Sequence, residues 1–175
     1  MSAALPPPRT PGRYAVGLVC LGNICRSPTA DVVLSGKVAE AGLADRVEVG
    51  SCGTGGWHVG EPMDPRAAAT LSAAGYDPTR HRGRQYDEAW AARFDVVLAM
   101  DAANLADLGG RRADGRVMLF GELDPVAPGS EVPDPYYGGA DGFEEVLEMV
   151  ERTSDAIVDA LPGLLEPTAS TGDDA

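Results

Sequence analysis

Val19-Cys20-Leu21-Gly22-Asn23-Ile24-Cys25-Arg26-Ser27-Pro28 joins an apolar run, Ala15–Cys20, to a segment patterned as a helix. The run is short and unbroken, as in a strand covered on both faces. Beyond it, Pro28 suits a first helical turn, where a missing N–H costs nothing. Ala30, Val33, Leu34, Val38 and Ala41 then recur on one helical face until Gly42 ends it. The intervening loop has a cysteine at one end and an arginine at the other. Gly22 and Asn23 are the residue types that best accept the positive φ of a tight curl. Such a loop can wrap its amide groups around one tetrahedral oxyanion, with sulfur beneath it and a guanidinium at its side.

That arrangement suits nucleophilic chemistry at phosphorus. A cysteine attacks only as thiolate. Amide donors, a helix N-terminus and Arg26 all favour negative charge at Cys20. Ser27 offers a hydroxyl to the sulfur or to the helix end. The arginine fork grips two phosphate oxygens together, as lysine does not. The residues thus point to hydrolysis of a phosphate ester through a phosphocysteine. A zinc site built from Cys20, Cys25, Cys52 and His58 is disfavoured by Arg26 beside Cys25 and by the lack of a second tight ligand pair. No metal and no cofactor are expected. Two buried, inert cysteines in a structural loop form the plainer alternative. The Gly-Lys-Ser/Thr ending of a nucleotide-binding loop is missing.

The rest of the chain alternates strand and helix. Strands are predicted at Ala15–Cys20, Val47–Ser51, Phe94–Ala99 and Val117–Phe120. Helices are predicted from about Pro28 to Ala41, Asp64 to Ala74 and Ala102 to Leu108. A last helix carries Phe143, Val146, Leu147, Val150, Ile157, Val158 and Leu161, with Pro162-Gly163 expected to stop it. This order predicts an α/β fold: one three-layer domain with a four-stranded, parallel, doubly wound sheet flanked by helices. The domain is expected over 13–162, between disordered tails at 1–12 and 163–175, the latter acidic. Ligands of such sheets bind outside the carboxyl ends of the strands. Cys20 ends the first strand and Asp134 follows the fourth, so both belong to one rim.

Composition narrows the partners. The 175 residues carry a net charge of −13, and Ala140–Ala175 holds ten acids against one arginine. Nucleic acid is therefore an improbable partner. The clusters Arg80-His81-Arg82-Arg84 and Arg111-Arg112-Arg116 read as solvated surface. No apolar stretch reaches the roughly 20 residues of a membrane span, and Met1–Pro11 lacks a signal-peptide core. Three cysteines do not suggest a disulfide framework. A reducing cytoplasm, without membrane attachment, is the expected setting.

Five segments in order resemble the low-molecular-weight protein tyrosine phosphatases: 19–30, Gly53-Thr54 through Trp57 and Gly60, Asp64-Pro65-Arg66-Ala67, Met100-Asp101 with Asn104-Leu105, and Asp134-Pro135-Tyr136-Tyr137-Gly138. The resemblance implies Cys20 as nucleophile, Arg26 as phosphate ligand and Asp134 as general acid, then general base. It implies that Leu21, Gly22, Asn23, Ile24, Cys25 and Ser27 form the phosphate loop, while Trp57, Tyr136 and Tyr137 wall the substrate slot. It also implies that Asn23, Ser51, His81 and Asp101 brace that loop. Tyrosine-phosphorylated protein is the expected substrate, with inorganic phosphate or other oxyanions as inhibitors. Ile24 favours tyrosine, since relatives acting on phosphoarginine tend to carry threonine there. Cys25 is either inert packing or a partner that traps oxidised Cys20 as a disulfide. Three rivals stand beside this expectation: an arsenate reductase on the same fold, for which only Cys52 could serve as a relay, a protein-arginine phosphatase, and a phosphotyrosine-binding module without turnover.

Overall fold

The structure, a computed structural model, describes residues 4–166. Its sheet has four strands, β1 (Tyr14–Cys20), β2 (Val47–Gly53), β3 (Val96–Ala99) and β4 (Val117–Leu119), in the order β2-β1-β3-β4. All neighbours run parallel, with Cys20 opposite Gly53 and Val19 opposite Ala99. This is the doubly wound sheet that strand–helix alternation predicts. The chain steps to one side of β1, then to the other, so the loop after β1 sits where the winding reverses.

Every residue of β1 is buried, which is why it reads as a continuous apolar run rather than an alternating one. Its side chains nevertheless divide between two layers. Tyr14, Val16, Leu18 and Cys20 join the larger core with α1 (Arg26–Glu40), α2 (Pro65–Ala73) and α5 (Ala140–Leu165). Ala15 and Val19 face the smaller core of Cys52, Trp90, Phe94 and Val97. On that side Trp90 and Phe94 stack with ring centroids 4.4 Å apart. A Cβ on Gly17 would lie 2.8 Å from Trp90, and one on Gly50 would lie 2.9 Å from Phe94, so bare backbone lets the rings lie against the sheet.

Besides shifts of one or two residues at the strand ends, three boundaries differ from expectation. The first helix starts at Arg26, not Pro28, with Cys25 at its N-cap, because the loop after β1 runs directly into the helical turn. The last helix passes Pro162-Gly163 and ends at Leu165. Leu161 and Leu165, one turn apart, are both buried in the larger core, and that burial outweighs the bond lost at the proline. The N-terminal stretch, expected within a disordered tail, lies against the body from Leu5 onward. Tyr14 Oη donates to the Pro6 carbonyl at 2.8 Å, and the Arg9 amide donates to Asp95 at 2.6 Å. Residues 1–3 and 167–175 lie outside the described residues. Two short elements went unpredicted, α3 (Glu88–Ala91) and a 3-10 turn at Phe120–Leu123; α4 (Ala102–Asp107) matches its expected span closely.

Candidate active site

The loop from Cys20 to Arg26 is held from outside. The amides of Thr54 and Gly55 take the carbonyls of Cys20 and Leu21 at 2.9 Å each, and the Asp64 amide takes that of Ile24 at 2.9 Å. With those carbonyls engaged outward, the amides of Leu21, Gly22, Ile24 and Cys25 donate to no protein acceptor among the described residues. Gly53 makes this approach possible: a Cβ there would stand 2.7 Å from the Leu21 carbonyl oxygen.

Asn23 sets the curl. Among the described residues it alone, of those with side chains, has positive φ, at 59°. Its side-chain amide donates to Ser27 Oγ at 2.8 Å and to Ser51 Oγ at 3.1 Å, and its Oδ1 accepts from the Arg84 amide at 2.9 Å. His81 Nε2 meets the Asn23 carbonyl at 2.7 Å. Burial lowers the His81 pKa below its ordinary value, with the bond to Asn23 acting against that and Arg82 adding to it. His81 and Ser51 thus both contact the loop. Behind Ser51, burial pushes the Asp31 carboxyl up to about 6, with hydrogen bonds to Ser51 and Ser35 working against the rise.

Cys20 Sγ receives the Asn23 amide at 3.3 Å and lies 3.0 Å from Ser27 Oγ. Arg26, 3% exposed, is aimed by two anchors: its Nη1 donates to Asp101 Oδ2 at 2.6 Å and to the Val132 carbonyl at 3.1 Å. Nη2 is 3.6 Å from Asp134 Oδ2. The amide of Tyr136 donates to Asp134 Oδ1 at 3.1 Å, so the aspartate also shapes its own turn. Cys20 and Asp134, far apart in sequence, thus line one cleft of about 250 Å³ together with Arg26, Ile24, Cys25 and Trp57.

Aromatic rings form its mouth. Trp57 is 69% exposed and Tyr137 90%, and the rings of Tyr136 and Tyr137 meet edge to face at 5.0 Å. Two further residues act here. His58 lines the cleft, packs by Gly22 and pairs with Glu61 at 2.8 Å. Arg66, held by Asp64, lies 5.3 Å from the Tyr136 ring centre and braces that wall. Sequence alone offers His58 only as a disfavoured metal ligand and Arg66 only as part of a motif; the Gly-rich setting of Trp57-His58 is the available signal.

Cys25 lines the cleft as a thiol. Burial, then the negative charges of Asp64, Cys20 and Asp134, push it up to about 12, against the pull of Arg66. Cys52 belongs to the opposite face of the sheet from Cys20. Among the described residues no group of three or more His, Cys, Asp or Glu side chains could share a metal ion. The guanidinium groups of Arg80, Arg82 and Arg84 enter no ion pair there.

A strand-end cysteine loop backed by a buried arginine, on a parallel α/β sheet, defines a class of phosphate-handling proteins. Comparison makes it particular. Residues 15–163 match the family model described as low molecular weight phosphotyrosine protein phosphatase. A low molecular weight protein-tyrosine-phosphatase of Streptomyces coelicolor is 46% identical over 163 residues, covering 90% of this chain and 99% of its own length. The structure of YfkJ from Bacillus subtilis superposes with a TM-score of 0.80 at 30% identity, covering 88% of this chain and 98% of that one. A protein tyrosine phosphatase from Entamoeba histolytica, with Hepes in its active site, gives 0.79 at 29% identity, covering 86% and 97%. The chain belongs to the low-molecular-weight protein tyrosine phosphatase family, and its relatives are hydrolases. Among the described residues no helix is long and apolar enough to cross a membrane.

Proposed function

We propose that this protein hydrolyses phosphotyrosine in protein substrates through a phosphocysteine on Cys20, without a metal. The observation that carries this reading is the convergence on one cleft of Cys20, Arg26 and Asp134, with Cys20 Sγ accepting an amide hydrogen bond at 3.3 Å. The Cys20 thiolate attacks phosphorus as the bond from phosphorus to the phenolic oxygen breaks, and Asp134 gives that oxygen its proton. The carboxylate of Asp134 then takes a proton from water. The water oxygen attacks phosphorus, the sulfur–phosphorus bond breaks, and phosphate leaves with the thiolate restored. Arg26 and the loop amides hold the equatorial oxygens, where charge builds in both transition states. Asp101 and the Val132 carbonyl fix Arg26, so little reorganisation is needed.

The walls support the choice of ester. Trp57, Tyr136 and Tyr137 extend the cleft beyond the phosphate site along the length of an aromatic ring, which the shorter phosphoserine and phosphothreonine do not span. Ile24 adds an apolar side chain to the lining of the cleft. Inorganic phosphate and other oxyanions fit the same amides as inhibitors. Hepes in the active site of the Entamoeba histolytica relative agrees with that affinity. An arsenate reductase would need a cysteine relay, and Cys52 lies across the sheet from Cys20. Three free cysteines and a thiolate nucleophile fit a reducing, cytoplasmic setting.

The test is hydrolysis of p-nitrophenyl phosphate and phosphotyrosine, without added metal, by the wild type, Cys20→Ser and Asp134→Ala. Cys20→Ser should be inactive and still bind vanadate. Asp134→Ala should bind normally and turn over ~10²–10⁴-fold more slowly. Wild-type rates from Cys20→Ser would overturn the reading, and faster turnover of phosphoarginine than of phosphotyrosine would redirect it to the arginine ester.

A further inference from the structure

A second depression adjoins the cleft. It has a volume of about 360 Å³ and is lined by Leu21, Thr54, Gly55, Trp57, Tyr86 and Asp107. Leu21 and Trp57 line both hollows, so they form the ridge between them. The Trp57 indole folds back over Gly55 so closely that a Cβ there would come within 1.9 Å of the ring. A peptide whose phosphotyrosine enters the cleft must lay its neighbouring residues over some part of this rim.

The chemistry of the hollow selects what it takes. Leu21, Trp57 and the half-buried Tyr86 supply apolar and aromatic surface. Asp107, exposed at the end of α4, makes no ion pair among the described residues. Two more acids reach Tyr86: after burial, the charge of Glu88 does most to push its phenol above the ordinary value, with Cys52 and then Asp87 adding to it and Arg112 opposing. Arg112 is itself held by Asp114 through bonds of 3.3 and 3.0 Å. The hollow therefore combines aromatic faces with a carboxylate, that of Asp107, which has no ion-pair partner among the described residues. A guanidinium satisfies both, stacking on the rings while pairing with the carboxylate.

We propose that this hollow is a subsite for an arginine or lysine flanking the phosphotyrosine, and that the substrates are basic phosphopeptide segments. The inference rests on the phosphotyrosine reading above and narrows it. The protein's overall charge of −13 favours approach of the same segments.

The experiment compares kcat/KM for phosphotyrosine peptides bearing Arg, Ala or Glu at each of the two positions on either side, with p-nitrophenyl phosphate as a reference lacking flanking residues. In the wild type, Arg should exceed Glu at one or more positions by roughly tenfold, the sum of one stacking contact and one exposed ion pair. The ratio should shrink at high salt. Asp107→Asn should bring it to about two- or threefold, and Asp107→Lys should invert it, as expected for a local charge contact. Equal rates on Arg and Glu peptides at every position, or a ratio that survives Asp107→Asn, would overturn the subsite while p-nitrophenyl phosphate turnover leaves the catalytic reading standing. Failure of the wild type on p-nitrophenyl phosphate itself would overturn that reading, and this inference with it.

Discussion

Asn23 shows how much of the site depends on a residue that touches no leaving group. Its backbone sits at φ 59°, and its side chain ties Ser27, Ser51 and the Arg84 amide into one network beneath Cys20. Asparagine tolerates that φ better than most residues, but only glycine adopts it freely. Two substitutions separate the backbone contribution from the hydrogen bonds. Asn23→Gly keeps the φ and loses the bonds; Asn23→Ala loses both. Each leaves the two hydroxyls and the amide short of a partner, at ~1 kcal/mol or more apiece. We expect kcat for p-nitrophenyl phosphate to fall about 100-fold in either variant, since misplacing reacting groups costs on that scale. Asn23→Ala should unfold more easily than Asn23→Gly by ~1–2 kcal/mol, the cost of the left-handed backbone for an ordinary residue. Urea melts of the pair check the second claim; equal stabilities would show that φ is not the constraint.

At the scale of elements, legibility followed the length of the signal. α1 and α5 bury long apolar stripes, so their existence could be read from spacing, whereas α3 spans only Glu88–Ala91, too short for a period to emerge. Proline weighed locally predicts that α5 ends at Pro162, whereas Leu161 and Leu165 are buried against residues remote in sequence. The same asymmetry holds in the site. Cys20, Arg26 and Asp134 stand in telling places, at a strand end, at a helix start and before a Pro-Tyr-Tyr turn. By contrast, His58 and Arg66 act through contacts with Gly22 and Tyr136 that no spacing reveals. α5 also buries two polar residues, Thr153 and Ser154. Ser154 is fully buried, and its Oγ has no hydrogen-bond partner among the described residues. Ser154→Ala removes that desolvated hydroxyl and leaves the backbone untouched. It should stabilise the fold by ~1 kcal/mol, read as a higher urea midpoint at unchanged slope. A lower midpoint would mean that the hydroxyl has a partner after all.

Across the whole molecule, the segment carrying Asp134 is a long connection from β4 to α5, and it brings that residue to a cleft built around the end of the first strand. Two anchors hold it. Near the cleft, the Val132 amide donates to the Met100 carbonyl at 2.8 Å while its own carbonyl takes Arg26. Farther out, Asp124 accepts two bonds from Arg152 of α5, at 2.9 and 2.8 Å, and caps the amides of Val126 and Ala127. Burial alone would raise the Asp124 carboxyl; Arg152 and those amides outweigh it and hold the group below the usual carboxylate range. A depressed folded-state pKa means that the unfolded chain binds the proton more readily. The contribution is therefore complete above the unfolded value near 3.8 and is lost as pH falls through the folded one. Asp124→Asn should cost about 1.5–3 kcal/mol at pH 7, the worth of hydrogen bonds to a charged partner. Thermal melts of wild type and variant should then converge as pH drops below 4, because the wild-type carboxyl becomes neutral as well. If the gap in Tm persisted unchanged at pH 3, the anchor would owe its strength to shape rather than to charge, and the link from α5 to the segment carrying Asp134 would have to be drawn through Val132 alone.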